Sequence, residues 1–301
     1  MVYQFDGLEP KTPFIWMPVT VEEAIDLKKQ FGIEAEFASG ATLLQLQWMN
    51  GRKMAQHLIS LEQISSLKEV KLKNNVLSIG ALTTLGSYQN NSLIKENVIL
   101  CNALKTIAAP AVRNRGTIGG NVMGGIGDLI PLLLAMEAKL YIQGPNSSII
   151  VDLWDWLQNK QITGNELLVK IELPVEVNEK TCFSFYRKIG RRETFTAAIL
   201  TVSGKIKWDE KGVLNIVRLA VGGGDNEPKR LEKTEQLLNG KTGEEINWKA
   251  VYSSITNEFN AVEDSFISSE YRKKIAANLI VAELKSKLTI SSQGEGHIYE
   301  I

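Results

Sequence analysis

The chain has 301 residues, of which 34 are Lys or Arg and 34 are Asp or Glu, so its formal net charge is zero. A balanced charge gives no basis for binding to nucleic acid or to an anionic membrane surface, and the length is sufficient for two domains with full cores. No apolar stretch approaches the ~20 residues that span a bilayer, and the start lacks a leader-like pattern, so we expect a cytoplasmic protein without a membrane span.

The cysteines and histidines do not favour a metal centre or a hydrolase. Cys101 and Cys182 have neither a CxxC spacing nor the spacing of a mixed Cys/His ligand set. His57 and His297 are isolated, and neither lies near a cysteine in the sequence. We therefore expect no bound metal and no iron-sulfur cluster within this chain.

The N-terminal part predicts alternating helices and strands. Thr20 and Glu23 have capping-box spacing at the start of an amphipathic helix. A short strand at 34–38 then runs into Ser39-Gly40-Ala41-Thr42, and a second short helix follows. The N-terminus of such a helix can hold a phosphate through its N–H groups. The alternative is an ordinary turn between a strand and a helix.

The middle of the chain predicts short strands around one helix. That helix covers 91–107, and it ends before Pro110 because proline disfavours a helical conformation in the residue before it. The predicted strands are 58–59, 70–72, 76–79, 139–142, 148–151 and 167–173.

The segment Arg113 to Asn121, RNRGTIGGN, contains three glycines, a hydroxyl and a carboxamide within six residues. Glycines remove Cβ atoms and allow positive φ, so successive N–H groups could converge on phosphate oxygens, with Thr117 and Asn121 adding side-chain hydrogen bonds. A structural turn uses the same residue types. Asp128, at the head of an apolar run, could cap the next helix or accept a hydrogen bond from a ligand.

The polar segment 174–180 predicts a linker, because strand patterns come first beyond it and helices only afterwards. The strands are 181–189, 195–208 and 213–221, and the helices are 229–238, 248–259 and 269–288. We predict domains at 1–177, with subdomains of about 1–57 and 58–177, and at 178–290, followed by a weakly ordered tail at 291–301.

These motifs together resemble the FAD-binding (medium) subunit of the molybdenum hydroxylases, the family of xanthine dehydrogenase and aerobic carbon monoxide dehydrogenase. The run from Ala108 to Asn121 is similar to the family block ASPxxRNRGTIGGN, and weaker similarities lie at 80–84 (GALTT), 128–135 and 187–193 (KxGRRE). The resemblance implies an α+β fold. A two-part FAD-binding domain of the PCMH (vanillyl-alcohol oxidase-like) type would precede a smaller α+β domain with a three-stranded antiparallel sheet and helices.

The resemblance also implies which residues bind FAD. The first flavin loop, whose backbone would hold the pyrophosphate, comprises Phe37, Ala38, Ser39, Gly40, Ala41, Thr42 and Leu43. The second comprises Thr117, Gly119, Gly120 and Asn121. Asp128 would bind the adenosine or ribityl region, Leu168 would pack against flavin or adenine, and Arg187 and Lys188 would lie near the isoalloxazine ring. A cation there would stabilise the negative charge of reduced flavin, whereas the alternative is a solvated strand end.

The chain departs from the family pattern at two places. The usual first loop AGGTDL is ASGATL here, over Ala38 to Leu43. The connection between Asn121 and Asp128 is about two residues shorter than usual and rich in glycine. The resemblance therefore leaves open how tightly the chain holds FAD.

The function that the resemblance implies is electron transfer within a larger enzyme. The chain would pass electrons from iron-sulfur clusters of a partner through FAD to NAD+ or another acceptor. Its partners would be a molybdopterin-binding large subunit and a [2Fe-2S] small subunit, and no catalytic residue for the substrate is assigned to this chain. Two alternatives remain: a structural subunit of the same fold that has lost FAD, and a self-contained flavin oxidase.

Overall fold

The computed structural model describes residues 12–159, 164–175, 181–191 and 198–288. Within these ranges the strands form three sheets, of three, five and four strands. None of the described helices is long and apolar enough to cross a membrane. The predicted tail at 291–301 and most of the predicted linker at 174–180 lie outside the described residues.

The N-terminal sheet is parallel and lies beside two helices. In chain order its elements are β1 (Phe14–Trp16), α1 (Val21–Phe31), β2 (Ala35–Ala38), α2 (Thr42–Met49) and β3 (His57–Ser60), with strand order β1-β3-β2. The predicted cap of α1 is confirmed, because Thr20 Oγ1 accepts from the Glu23 N–H at 3.1 Å. Glu23 Oε2 in return accepts from the Val19 N–H at 2.9 Å, one residue before the cap.

The central sheet is antiparallel, and one of the connections between its strands contains five α-helices. Its strands are β4 (Val70–Lys73), β5 (Val76–Gly80), β6 (Lys139–Gln143), β7 (Ser148–Asp152) and β8 (Leu167–Pro174), in the order β4-β5-β8-β6-β7. Between β5 and β6 lie α3 (Ser92–Glu96), α4 (Val98–Thr106), α5 (Pro110–Arg113), α6 (Ile118–Met123) and α7 (Ile130–Ala135), and α8 (Leu153–Asn159) follows β7.

The single helix predicted over 91–107 is wrong. Asn97 separates α3 from α4, because its side chain accepts from the Leu100 N–H at 3.1 Å and so caps a new helix. Apolar periodicity continues across this break, since both short helices face the same core. The pattern therefore indicated the buried face correctly and missed the interruption.

The C-terminal part is a four-stranded antiparallel sheet with helices on one face. Its elements are β9 (Cys182–Gly190), β10 (Ala198–Trp208), β11 (Leu214–Gly223), β12 (Asn226–Arg230), α9 (Glu232–Leu238), α10 (Trp248–Glu258) and α11 (Ser269–Leu288). The prediction of three strands is corrected by β12. Gly223 and Gly224 turn the chain with φ of 81° and 65°, and the buried Asn226 amide donates to the Gly223 carbonyl at 2.7 Å. These contacts return the chain alongside β11.

Helix α7 joins the two halves. All six of its residues are buried, which is typical of a helix surrounded by protein on every side. Its neighbours in the central core include Tyr186 and Ala220 of the C-terminal sheet. The opposite face of that sheet packs against α10 and α11 in a separate core. The apolar run that follows Asp128 therefore lies between the central core and the C-terminal sheet.

Candidate functional site

The two predicted flavin loops meet at a point that has no room for a side chain. A Cβ atom on Gly40 would lie 1.7 Å from the Arg115 carbonyl oxygen, so the two backbones are in direct contact. Across this contact, Ser39 Oγ and Thr117 Oγ1 lie 3.1 Å apart although the residues are 78 positions apart in the chain. The fold thus brings together two loops that the sequence had indicated separately.

The first loop presents a row of backbone N–H groups at the start of α2. Among the described residues, no acceptor is found for the backbone N–H groups of the loop or of the first turn of α2, which are those of Ser39, Gly40, Ala41, Thr42, Leu43 and Leu44. The N-cap residue of α2, Ala41, has no side chain that could accept from them. These donors and the positive end of the helix suit an anion.

The second loop has the opposite character. Its N–H groups are used within the protein: those of Ile118, Gly119, Gly120 and Asn121 donate to Thr83 O, Ala81 O, Thr117 Oγ1 and Thr117 O. The expected positive φ is also wrong, since Gly116, Gly119 and Gly120 all lie outside the left-handed region. This loop is a well-bonded helix start, and its N–H groups do not form a phosphate cradle.

The glycines of the second loop are instead required by packing. A Cβ atom on Gly119 would lie 2.6 Å from the Ala81 carbonyl oxygen, so this residue allows α6 to pack against the backbone that follows β5. A Cβ atom on Gly120 would lie 2.9 Å from Thr117 Oγ1 and 3.2 Å from Ser39 Oγ. Gly120 therefore provides the space that the two hydroxyls occupy.

Asn121 fastens the short connection to α7. Its Oδ1 accepts from the Leu129 N–H at 3.2 Å. Gly127 lies directly beside it, because a Cβ there would be 2.1 Å from Asn121 Oδ1. The shortened connection is thus closed by a side-chain hydrogen bond, and Asp128 is held at a fixed distance from the second loop.

Asp128 and Lys188 form an ion pair between the two domains. Lys188 Nζ lies 2.9 Å from Asp128 Oδ2 and also donates to the Thr106 carbonyl at 3.0 Å. The side chains are 6% and 15% exposed for Lys188 and Asp128. The predicted capping of α7 by Asp128 is wrong, since Leu129 is the N-cap residue and no side chain bonds to the helix end.

Arg187 lies on the opposite face of β9 from Lys188, as expected for adjacent residues of a strand. Its Nη2 is 2.7 Å from Glu283 Oε1 on α11, and its side chain is 53% exposed. The two cations that the sequence placed together are therefore separated, and Lys188 alone shares a surface with Asp128. Positions 192 and 193 of the similar KxGRRE segment lie outside the described residues.

Tyr186 contacts the backbone of the residue that pairs with Lys188. Its hydroxyl donates to the Asp128 carbonyl at 3.1 Å. Burial, with a further contribution from the Asp128 carboxylate, raises the pKa of Tyr186 well above the ordinary value of a phenol. The hydroxyl therefore stays protonated at any physiological pH and remains a donor. Sequence reasoning gave no role to Tyr186, although its position two residues before Lys188 on a strand indicates the same face.

Three other predicted site residues are packing residues. Phe37 packs against the small core of the N-terminal layer, and Ala38 is buried at the end of β2. Leu168 is 2% exposed and belongs to the central core, so very little of its surface is accessible to a ligand. They shape the elements that carry the loops.

Two backbone features of the site were not predicted from the sequence, the conformations of Ala108 and Ala41. The buried Arg113 donates from Nη1 to the Ile107 and Ala108 carbonyls, which holds the backbone ahead of the second loop at the φ of 53° of Ala108. Ala41 has a φ of 55°, a conformation that L-residues other than Asn and Asp rarely adopt. An arginine next to a proline-initiated turn could have suggested the first, and nothing in the sequence suggests the second.

The chain matches two family models, one for each part of the fold. A family model described as the FAD binding domain in molybdopterin dehydrogenase matches residues 7–176, and one described as the CO dehydrogenase flavoprotein C-terminal domain matches residues 184–286. The chain belongs to the FAD-binding medium-subunit family of the molybdenum hydroxylases. It is a flavoprotein subunit of an oxidoreductase, and FAD is its cofactor. The expected two-domain fold is confirmed.

Individual relatives agree with this assignment. The glyceraldehyde dehydrogenase medium chain of Sulfolobus acidocaldarius is 28% identical over 236 residues, which are 76% of this chain and 82% of that one. The carbon monoxide dehydrogenase medium chain of Hydrogenophaga pseudoflava is 32% identical over 164 residues, 52% of this chain and 57% of that one. The solved carbon monoxide dehydrogenase of the same organism has the same fold, with a TM-score of 0.84, 24% identity, and coverage of 91% of this chain and 96% of that one.

The residues present fit the cofactor of the family. FAD carries a pyrophosphate, and the first loop presents a row of N–H groups at the start of α2 that have no acceptor within the described part of the chain. The close contact at Gly40 keeps this row beside the hydroxyls of Ser39 and Thr117. The altered sequence of the first loop has therefore kept its backbone donors.

We predict that Gly40→Ala weakens FAD binding by about tenfold or more. The added Cβ must push the Arg115 backbone away, and overpacking of this kind costs about 1–3 kcal/mol. The measurement is titration of the apoprotein with FAD, followed by flavin fluorescence. Gly144→Ala is the matched control, because its Cβ would lie in ordinary contact, 3.4 Å from Glu166 Cγ and from the Ser147 carbonyl oxygen, and outside the two loops. Equal loss of affinity in both variants would contradict the role of the loop contact.

We predict that Lys188→Met lowers the free energy of unfolding by about 3 kcal/mol, because it leaves the largely buried Asp128 carboxylate without its partner. Adding Asp128→Asn should recover part of this loss. The neighbouring Arg187→Met is the control and should cost less than about 1 kcal/mol, since the Arg187 side chain is 53% exposed to solvent. Urea denaturation of the four proteins tests this, and equal losses for the two cations would show the idea to be wrong.

Proposed function

We propose that this chain passes electrons from iron-sulfur clusters of a partner through its FAD to NAD+ or another acceptor. When bound, FAD supplies chemistry that links one-electron centres with hydride transfer. The observation that supports the proposal most is the row of N–H groups from Ser39 to Leu44, which gives the family's cofactor a place on this chain. The clusters must lie elsewhere, because a [2Fe-2S] cluster takes four protein ligands, usually cysteines, and the chain has two cysteines.

In this proposal the first loop binds the pyrophosphate through its backbone, from Ser39 to Leu43. The second loop contributes mainly side chains, since its N–H groups are bonded internally. Asn121 offers its amide nitrogen, and the Thr117 hydroxyl contacts that of Ser39 in the first loop. Gly120 gives the space for these two hydroxyls, whereas Gly119 lets α6 pack against the backbone that follows β5. The two loops therefore have different roles, backbone donors in the first and side chains in the second, although both are rich in small residues.

The cation that we propose for the isoalloxazine side is Lys188. On its face of β9, Lys188 contacts Asp128, which we propose to bind the ribityl or adenosine region. Arg187 lies on the opposite face and pairs with Glu283 of α11. The ion pair leaves Lys188 largely neutralised, so its main effect on a bound flavin would be to orient Asp128 and Thr106. Leu168 would support the site indirectly, by packing within the central core.

The partners we propose are a molybdopterin-binding large subunit and a [2Fe-2S] small subunit, with NAD or a similar molecule as acceptor. The support is that the relatives named above are medium chains of dehydrogenases. We further propose that the domains extend over 1–177 and 178–290 and that the complex is cytoplasmic. The two matched family models, at 7–176 and 184–286, are compatible with those boundaries.

We predict that the apoprotein takes up FAD and then shows flavin absorbance near ~370 and ~450 nm. FMN, which lacks the adenosine half and the pyrophosphate, should bind at least about 100-fold more weakly, because each hydrogen bond to a charged group contributes about 1.5–3 kcal/mol. Parallel titrations with the two flavins measure this. Equal affinity for both would contradict pyrophosphate binding by the first loop, and no uptake of either would favour the structural-subunit alternative.

The electron path is tested in the complex obtained by coexpression with the neighbouring reading frames. After reduction by its substrate, the complete complex should reduce NAD+ or an artificial acceptor, whereas a complex stripped of FAD should keep its clusters reduced and lose at least about 90% of that rate. Adding FAD back should restore the rate. Acceptor reduction that is unaffected by removing FAD would overturn the proposed path.

A further inference from the structure

Two hydroxyls face each other across the contact between the loops. Ser39 Oγ and Thr117 Oγ1 are 3.1 Å apart, and Thr117 Oγ1 also accepts from the Gly120 N–H at 3.0 Å. Thr117 is 6% exposed, while Ser39 is only partly buried. The pair therefore has a buried member that is bonded on both sides and a more accessible member beside the first loop.

Counting protons fixes the direction of this contact. Each hydroxyl has one proton and two lone pairs, and one hydrogen bond between two hydroxyls uses only one of the two protons. If Ser39 donated to Thr117, the proton of the buried Thr117 would need another acceptor, and none is found among the described residues. An unpaired buried hydroxyl costs about 1–3 kcal/mol. The favoured arrangement has Thr117 donating to Ser39.

In that arrangement the Ser39 proton is left over and lies next to a row of N–H donors. We propose that Ser39 Oγ–H donates to a phosphate oxygen of FAD, with Thr117 as the positioning residue that turns the hydroxyl towards the ligand. The inference rests on the proposed FAD site. It assigns a side-chain donor to a position where the family pattern has glycine, so this chain has gained a contact at its altered loop.

Gly120 provides the space that the Ser39 and Thr117 hydroxyls need. A Cβ on Gly120 would lie 3.2 Å from Ser39 Oγ and 2.9 Å from Thr117 Oγ1, so only glycine lets both hydroxyls keep their positions. The N–H and hydroxyl donors of this site suit an anion whose oxygens accept hydrogen bonds. Within FAD, that group is the pyrophosphate.

The test uses the full-length apoprotein and FAD. Ser39→Ala and Ser39→Gly should each raise the Kd for FAD about 10- to 100-fold, as expected for the loss of a hydrogen bond to a charged oxygen. Thr117→Ser keeps the donor and should bind nearly as the parent does, whereas Thr117→Val should weaken binding and destabilise the start of α6. Ser148→Ala, on the exposed strand β7, is the control and should change nothing.

A second measurement separates contact from structure. The 31P NMR spectrum of bound FAD should show a shift of one pyrophosphate resonance in Ser39→Ala and none in Ser148→Ala, at unchanged melting temperature of the apoprotein. If the parent binds FAD and Ser39→Ala matches it in both Kd and 31P spectrum, the inference is wrong while the proposed function stands. If the parent fails to bind FAD, the proposed function itself fails.

Discussion

The structure of the site depends on one contact, the approach of the Gly40 backbone to the carbonyl of Arg115. Because a Cβ at position 40 would sit 1.7 Å from that oxygen, no other residue allows the N-terminal layer to close onto the central domain in the same way. The contact places the start of α2 beside α6 and aligns the hydroxyls of Ser39 and Thr117. The relative position of the two loops therefore depends on a single steric condition, the absence of a side chain at position 40.

A chain of polar contacts links the second loop to the C-terminal domain. Asn121 holds the backbone beside Asp128, Asp128 pairs with Lys188, and Tyr186 bonds to the same segment from the C-terminal sheet. Burial of an ion pair is a weak source of stability but a strong constraint on geometry, because either charge alone would be costly. The two domains are therefore held in register at the side of α7 where the site begins.

The sequence predicted the family, the two loops and the long helix over 269–288, because each depends on a local pattern. It failed where the decisive contact is distant or polar. Asn97 interrupts a helix inside an unbroken apolar pattern, and β12 forms because the buried amide of Asn226 returns the chain to β11. The roles of the second-loop glycines were misjudged for the same reason: their neighbours, such as Ala81, lie about 40 positions away in the chain.

Ala41 gives the first loop a further property. As the residue that begins α2 it has a methyl group where helices usually have an oxygen, and it keeps a φ of 55° that costs about 1 kcal/mol or more. A serine or aspartate there would bond to the same N–H groups and compete with an incoming anion. The helix is thus left without a side-chain cap of its own, and an anion bound there would complete it. If FAD takes that place, as we propose, its binding is coupled to the stability of the subunit, and the loaded chain would be more stable than the apoprotein.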